Sequence, residues 1–143
     1  MKTLQQVLDS KKHKEVISIA PNRPVFDALV ILAEYKIGAL VVLDGEKLVG
    51  IFSERDYARE VILKGKSSKS TMISEVMTDK VLSANPSEFV DIAMTLMSEK
   101  RIRHLPVVDH NTVVGMLSMG DLVNEIIANQ QELIKQLQSY INS

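Results

Sequence analysis

The chain repeats itself. At an offset of 65, residues 16–62 fall on residues 81–127 without a gap, and about a third of the aligned positions are identical. The matches include Pro21 and Pro86, Ala28 and Ala93, Ile37 and Ile102, Asp44 and Asp109, Gly50 and Gly115, Ser53 and Ser118, and Asp56 and Asp121. Most mismatches keep their character, as with Leu48 over Val113 and Phe52 over Leu117. Two copies of one small fold, packed about a pseudo-twofold axis, are therefore expected over 5–65 and 71–130, with a helical extension over 131–143.

Changes of hydrophobic period place the elements. Val16 to Ala20 reads as a short strand ended by Pro21 and Asn22. Val25, Ala28, Leu29 and Leu32 then recur at helical spacing behind Pro24, whose missing N–H suits a first helical turn. In the second copy Phe89, Ile92, Ala93 and Leu96 repeat that stripe after a Ser87 able to cap. The β-branched runs Ala39 to Leu43 and Leu48 to Phe52 flank a Gly-containing loop and read as a hairpin, matched by Leu105 to Val108 and Val113 to Leu117. A second helix starts at Ser53 and again at Ser118. The expected class is α/β (α+β): two βαββα units with extra helical segments at the N- and C-terminal ends.

Composition removes several functions. With 143 residues, 45% of them hydrophobic, the chain can bury a core without staples, and zero Cys excludes disulfides, thiolate metal sites and cysteine nucleophiles. A net charge of −1 supplies no field to hold a nucleic-acid polymer. The longest uncharged apolar run, Ile37 to Leu43, is far below the roughly 20 residues that span a bilayer. Met1 to Glu15 lacks the apolar stretch of a secretion signal, so a cytoplasmic protein without membrane contact is expected. His13, in the charged run Lys11 to Glu15, reads as part of a solvated turn, and the three histidines are too scattered to suggest a metal site. Gly65, Lys66 and Ser67 echo the end of a phosphate-binding loop, but position 60 is Glu and helix precedes it, so 64–70 is read as a linker. Ile126, Ile127, Leu133, Ile134, Leu137, Tyr140 and Ile141 form a helical stripe beyond the repeat. It either covers Leu4, Val7 and Leu8 or pairs with a second chain, and pairing is the preferred reading.

The strings Ser53-Glu54-Arg55-Asp56 and Ser118-Met119-Gly120-Asp121 each follow a strand and open a helix. A serine cap with an acid at the third helical position explains them by local geometry alone. The same geometry also offers free N–H groups and a hydroxyl to a phosphate, and a carboxylate to the paired hydroxyls of a ribose. From the residues, both readings stand.

The strand, helix, hairpin, helix order, the string Arg103-His104-Leu105-Pro106-Val107-Val108-Asp109 and the Gly, Ser and Asp that follow resemble cystathionine-β-synthase (CBS) domains. The tandem is similar to a CBS pair, or Bateman module, and its Ser53 to Tyr57 string is closest to short stand-alone pairs of bacteria and plant organelles. The resemblance implies a non-catalytic regulatory module without a catalytic cofactor. It implies an adenosine-containing ligand, AMP first, with ADP, ATP, NADH or S-adenosylmethionine as other candidates, in clefts between the copies. It also implies a homodimer and a regulated partner whose identity the sequence does not give.

Carried over by position, the resemblance puts ribose on Asp56 in one cleft and Asp121 in the other, with Ser53 and Ser118 near sugar and phosphate. Adenine contacts fall to Ile17 and Ala20, to Leu82, and to Ile51 and Met116. Cations for the phosphates fall to Arg103 and His104, just before Pro106, with Arg55 as an addition. The first copy has Gly38 and Ala39 in those places, and Val41 where Pro is typical, so the cleft with Ser53, Asp56, Arg103 and His104 is expected to bind phosphate better. A scaffold with vestigial clefts and a nucleotide hydrolase relying on His104 are the alternatives.

Overall fold

The computed structural model describes residues 1–12 and 15–142. His13 lies outside the described residues. The order is α1 (Leu4–Ser10), β1 (Ser18–Ile19), α2 (Val25–Tyr35), β2 (Ala39–Asp44), β3 (Lys47–Ser53), α3 (Glu54–Tyr57), a π-helical turn (Ala58–Ile62), α4 (Ile73–Val76), α5 (Val90–Lys100), β4 (His104–Asp109), β5 (Thr112–Ser118) and α6 (Met119–Asn142). The class is mixed α/β. Among the described residues no helix is long and apolar enough to cross a membrane.

The chain divides into two compact units. One holds Glu15–Leu82 with the short stretch His110–Val114; the other holds the N-terminal segment, Ser83–Asp109 and the chain from Gly115 onward. In the first of these, β1 pairs in parallel with β2 through Ser18–Val41 and Ile19–Val42, and β2 pairs antiparallel with β3. The sheet carries α2 on a core of Ile19, Val25, Ala28, Leu32, Leu40, Val42 and Phe52, closed by Val61, Ile73 and Val76. Val25, Ala28 and Leu32 are the helical stripe expected from the sequence, and Leu40, Val42 and Phe52 come from the expected hairpin. In the second unit β4 and β5 form the matching hairpin, and Leu4, Val90, Ala93, Met97, Leu105, Leu117 and Leu122 are fully buried.

Three local expectations change. The second copy's first strand, expected from the repeat of Val16 to Ala20, shrinks to one parallel bridge between Ala84 and Val107, the counterpart of Ile19 and Val42. Asn85 ends it there, because its side chain folds back to accept from Ser87 N at 3.0 Å and Ser87 Oγ at 2.8 Å. Ser87 is thereby committed to this turn, and Phe89 holds the N-cap position of α5. Pro24 stands at the N-cap of α2, one residue before the helical turn expected for it.

The repeat also extends further than the sequence offset reveals. Thr3 to Leu8 corresponds to Met72 to Met77, at an offset of 69 instead of 65. Gln6 Oε1 accepts from Thr3 N at 2.9 Å, and Glu75 Oε2 accepts from Met72 N at 2.7 Å. Leu4 N donates to Glu88 O at 2.9 Å and Val90 N to Lys2 O at 3.1 Å; Ile73 N donates to Arg23 O at 2.9 Å and Val25 N to Thr71 O at 2.8 Å. So α1, inside the span read as the first copy, packs in the unit that holds most of the second, and α4, inside the span read as the second copy, packs in the unit that holds most of the first. Each short helix leans on an equivalent glycine: a Cβ at Gly115 would lie 2.5 Å from Leu8 Cδ2, and one at Gly50 would lie 2.5 Å from Met77 Sδ.

Candidate functional site

Both Ser-x-x-Asp strings form capping boxes at a strand-to-helix junction. Asp56 Oδ2 accepts from Ser53 N and Ser53 Oγ, each at 2.9 Å, and Ser53 Oγ accepts from Asp56 N at 3.1 Å. The Gly38 carbonyl accepts from Glu54 N at 3.0 Å, which ties the start of α3 to the residue before β2. Ile51 exchanges backbone hydrogen bonds of 2.9 Å with Thr78, and the Thr78 hydroxyl donates to Asp56 Oδ1 at 3.1 Å. Gly38, Ile51, Ser53, Asp56 and Thr78 are thus one cluster.

The second copy builds the same cluster with one change of chemistry. Asp121 Oδ2 accepts from Ser118 N at 2.8 Å, Ser118 Oγ accepts from Asp121 N at 3.0 Å, and Met119 N donates to the Arg103 carbonyl at 2.8 Å. In place of Thr78 comes Lys11. Its ammonium donates to the Met116 carbonyl at 3.0 Å and to Asp121 Oδ2 at 3.1 Å. Burial pushes the Asp121 carboxyl up, but the Ser118 N–H, the Lys11 ammonium and the Ser118 hydroxyl outweigh it and hold the group below the ordinary aspartate value.

The other sequence-derived candidates are placed as follows. Ile17 and Ala20 flank β1 and are half-buried, Leu82 is exposed, and Ala39 and Pro106 are buried in β2 and β4. Arg55 is half-buried beside Asp56, His104 is half-buried at the start of β4, and Arg103 is exposed. Arg103 joins the Ser118–Asp121 junction through its carbonyl, which accepts from Met119 N, whereas Asp56 belongs to one unit and Arg103 and His104 to the other. Thr78 and Lys11 were missed by sequence reasoning. The only signal for either was their place just after a short helix, which the change of offset concealed.

The model of the CBS domain family matches residues 12–63 and 73–128. The mitochondrial CBS domain-containing protein CBSX3 of Arabidopsis thaliana is 39% identical over 122 residues, 82% of this chain and 59% of that protein. The chain thus spans somewhat more than half the length of that relative. A CBS-domain protein from Burkholderia ambifaria has a similar structure, with a TM-score of 0.86 at 45% identity over 90% of this chain and 96% of that one. The CBS domain pair of protein MJ0100, solved in complex with 5′-methylthioadenosine and S-adenosyl-L-methionine, has a TM-score of 0.79 at 29% identity and covers 91% and 98% of the two chains. With the family model matched once in each copy of the repeat, this chain belongs to the CBS-domain proteins and carries the domain twice in tandem.

Proposed function

We propose that this protein is a non-catalytic regulatory module that binds an adenosine-containing ligand, AMP first, and reports its occupancy to a partner protein. The observation that carries the reading is the twin Ser-Asp junction: two equivalent places where a strand enters a helix with a hydroxyl, backbone N–H groups and a carboxylate together. That is the donor and acceptor set a ribose with a phosphate requires. The MJ0100 pair, which was solved with two adenosine-containing molecules, supports the class of ligand.

In this reading Asp56 and Asp121 accept from ribose hydroxyls, and Ser53 and Ser118 lie near sugar and phosphate. Ile17, Ala20, Leu82, Ile51 and Met116 face adenine, and Arg103 and His104, with Arg55, supply cations to the phosphate of the Asp56 site. The Asp56 site is the stronger of the two. Gly38 and Ala39 offer no cation to the other, and the Asp121 carboxylate is already paired with Lys11. Because a ligand shifts a conformational equilibrium only through differential affinity, the partner must favour one state of the module.

Calorimetric titration with adenosine, AMP, ATP, NADH and S-adenosylmethionine tests this. AMP is expected to bind, with Asp56→Ala lowering its affinity at least tenfold at one site while costing about 0.5–1 kcal/mol of stability, the worth of a helix-end interaction. Arg103→Ala is expected to weaken AMP more than adenosine. Heat from none of the five ligands, or full AMP affinity in Asp56→Ala, overturns the reading and leaves a scaffold whose serines and aspartates only cap helices.

A further inference from the structure

The long helix α6 leaves the second unit with most of an apolar face uncovered. Only Leu122 is buried on it: α1, one of the two candidate targets of that face, touches α6 and is itself buried through Leu4, Val7 and Leu8, yet it leaves the rest of the α6 stripe exposed. From Val123 onward, Val123, Ile127, Gln130, Ile134, Leu137 and Ile141 recur at alternating steps of four and three residues. That is a seven-residue repeat with Ile at each first core position and Val, Gln and Leu at the second, in which Ile134 followed by Leu137 is the pairing that favours two parallel strands.

We propose that α6 forms a parallel two-stranded coiled coil with α6 of a second copy of this chain. Three observations point to a self-pair. The stripe is flanked by Ile126, Leu133 and Tyr140 on one side and by Asn124, Gln131 and Gln138 on the other, so neither flank carries a charge that would repel an identical helix or select a different one. Glu125, Glu132 and Lys135 all lie on the opposite face, Glu125 bound to Lys2 at 3.1 Å. Gln130 is the one polar core position: in a parallel pair its amide meets the same amide, donor to acceptor, whereas an antiparallel pair sets it against an apolar layer.

The area is of the right size. The exposed apolar residues of the face, from Val123 at 37% to Tyr140 at 81%, offer roughly 600 Å² per copy against about 800 Å² per partner in a standard stable interface. The flanking Gln and Asn stems supply much of the remainder.

The absence of cysteine from the chain makes the geometry directly readable. In the full-length protein, Leu137→Cys places one thiol opposite its copy in the parallel register, and mild oxidation is expected to yield a disulfide-linked dimer; Ser139→Cys, on the outer face, is the control and is expected to stay unlinked. Sedimentation of the wild type at tens of micromolar is expected to give a dimer, with Ile134→Asp and Leu137→Asp together weakening it at least a hundredfold. Gln130→Leu is expected to tighten it about tenfold by removing the polar layer. All three positions are exposed, so the monomer fold does not depend on them. A monomeric wild type, a dimer indifferent to the double substitution, or linkage of Ser139→Cys but not Leu137→Cys overturns the proposal. None of these readouts involves nucleotide, so the interface and the ligand reading fail separately.

Discussion

Asp56 meets a hydroxyl where Asp121 meets an ammonium, and that ammonium ties the Asp121 cap to pH. A carboxyl held below its ordinary value in the folded state adds stability that is complete above the unfolded value, near 3.9, and is lost as pH falls through the lowered folded value. Lys11→Met removes the ion pair but leaves the burial, so the Asp121 carboxyl rises and the acid limb of the stability curve moves to higher pH. The cost at neutral pH is on the order of 0.5–1 kcal/mol, as for a partly exposed pair. Urea unfolding at pH 7 and at successively lower pH checks this: wild type and variant should converge as pH falls, and a constant difference would mean that Lys11 acts by packing alone. The serine and aspartate of each cap were legible because a capping box is local, closed within three residues. Their outer neighbours were not. Thr78 arrives from 22 residues away and Lys11 from 110, and no periodicity in a single sequence announces such a meeting.

At the scale of elements, the hairpins and the first helices of both copies were readable, since β2 and α2 satisfy their burial with their own residues. The short helices α1 and α4 were not readable as a pair. Of the six aligned positions from Thr3 and Met72 only Val7 and Val76 are identical, and four extra residues before Val16 shift the register. Their common role is to close the sheet at a glycine. Gly115→Ala sets a Cβ against a buried Leu8 with little room to turn, and is expected to cost about 1–3 kcal/mol as an overpacking change. Adding Leu8→Ala removes the obstruction, so the double variant should be less destabilised than the sum of the singles by at least about 0.5 kcal/mol. Additive losses in a denaturant-unfolding cycle would place Leu8 elsewhere. The first strand of the second copy misled for a related reason: Asn85 offers its own side chain to the turn and ends pairing at Ala84.

For the whole molecule, the order of the chain and the order of packing are different things. The repeat suggests a cut in the polar connection near residues 64–70, yet each unit takes a buried helix from the far side of that cut, Ile73 and Val76 in one and Leu4 and Val7 in the other. Fragments 1–70 and 71–143 are therefore expected to show little cooperative unfolding when examined alone by circular dichroism, whereas fragment 15–82 should retain more structure than 1–70 despite its similar length. Two independently melting halves would contradict this. The inheritance of such a chain is constrained accordingly. A stop codon between the copies cannot liberate an ancestral half-protein, because the half it leaves has surrendered its own closing piece to a neighbour that is no longer translated, and so a gene of this kind must keep, lose or amend its two halves together.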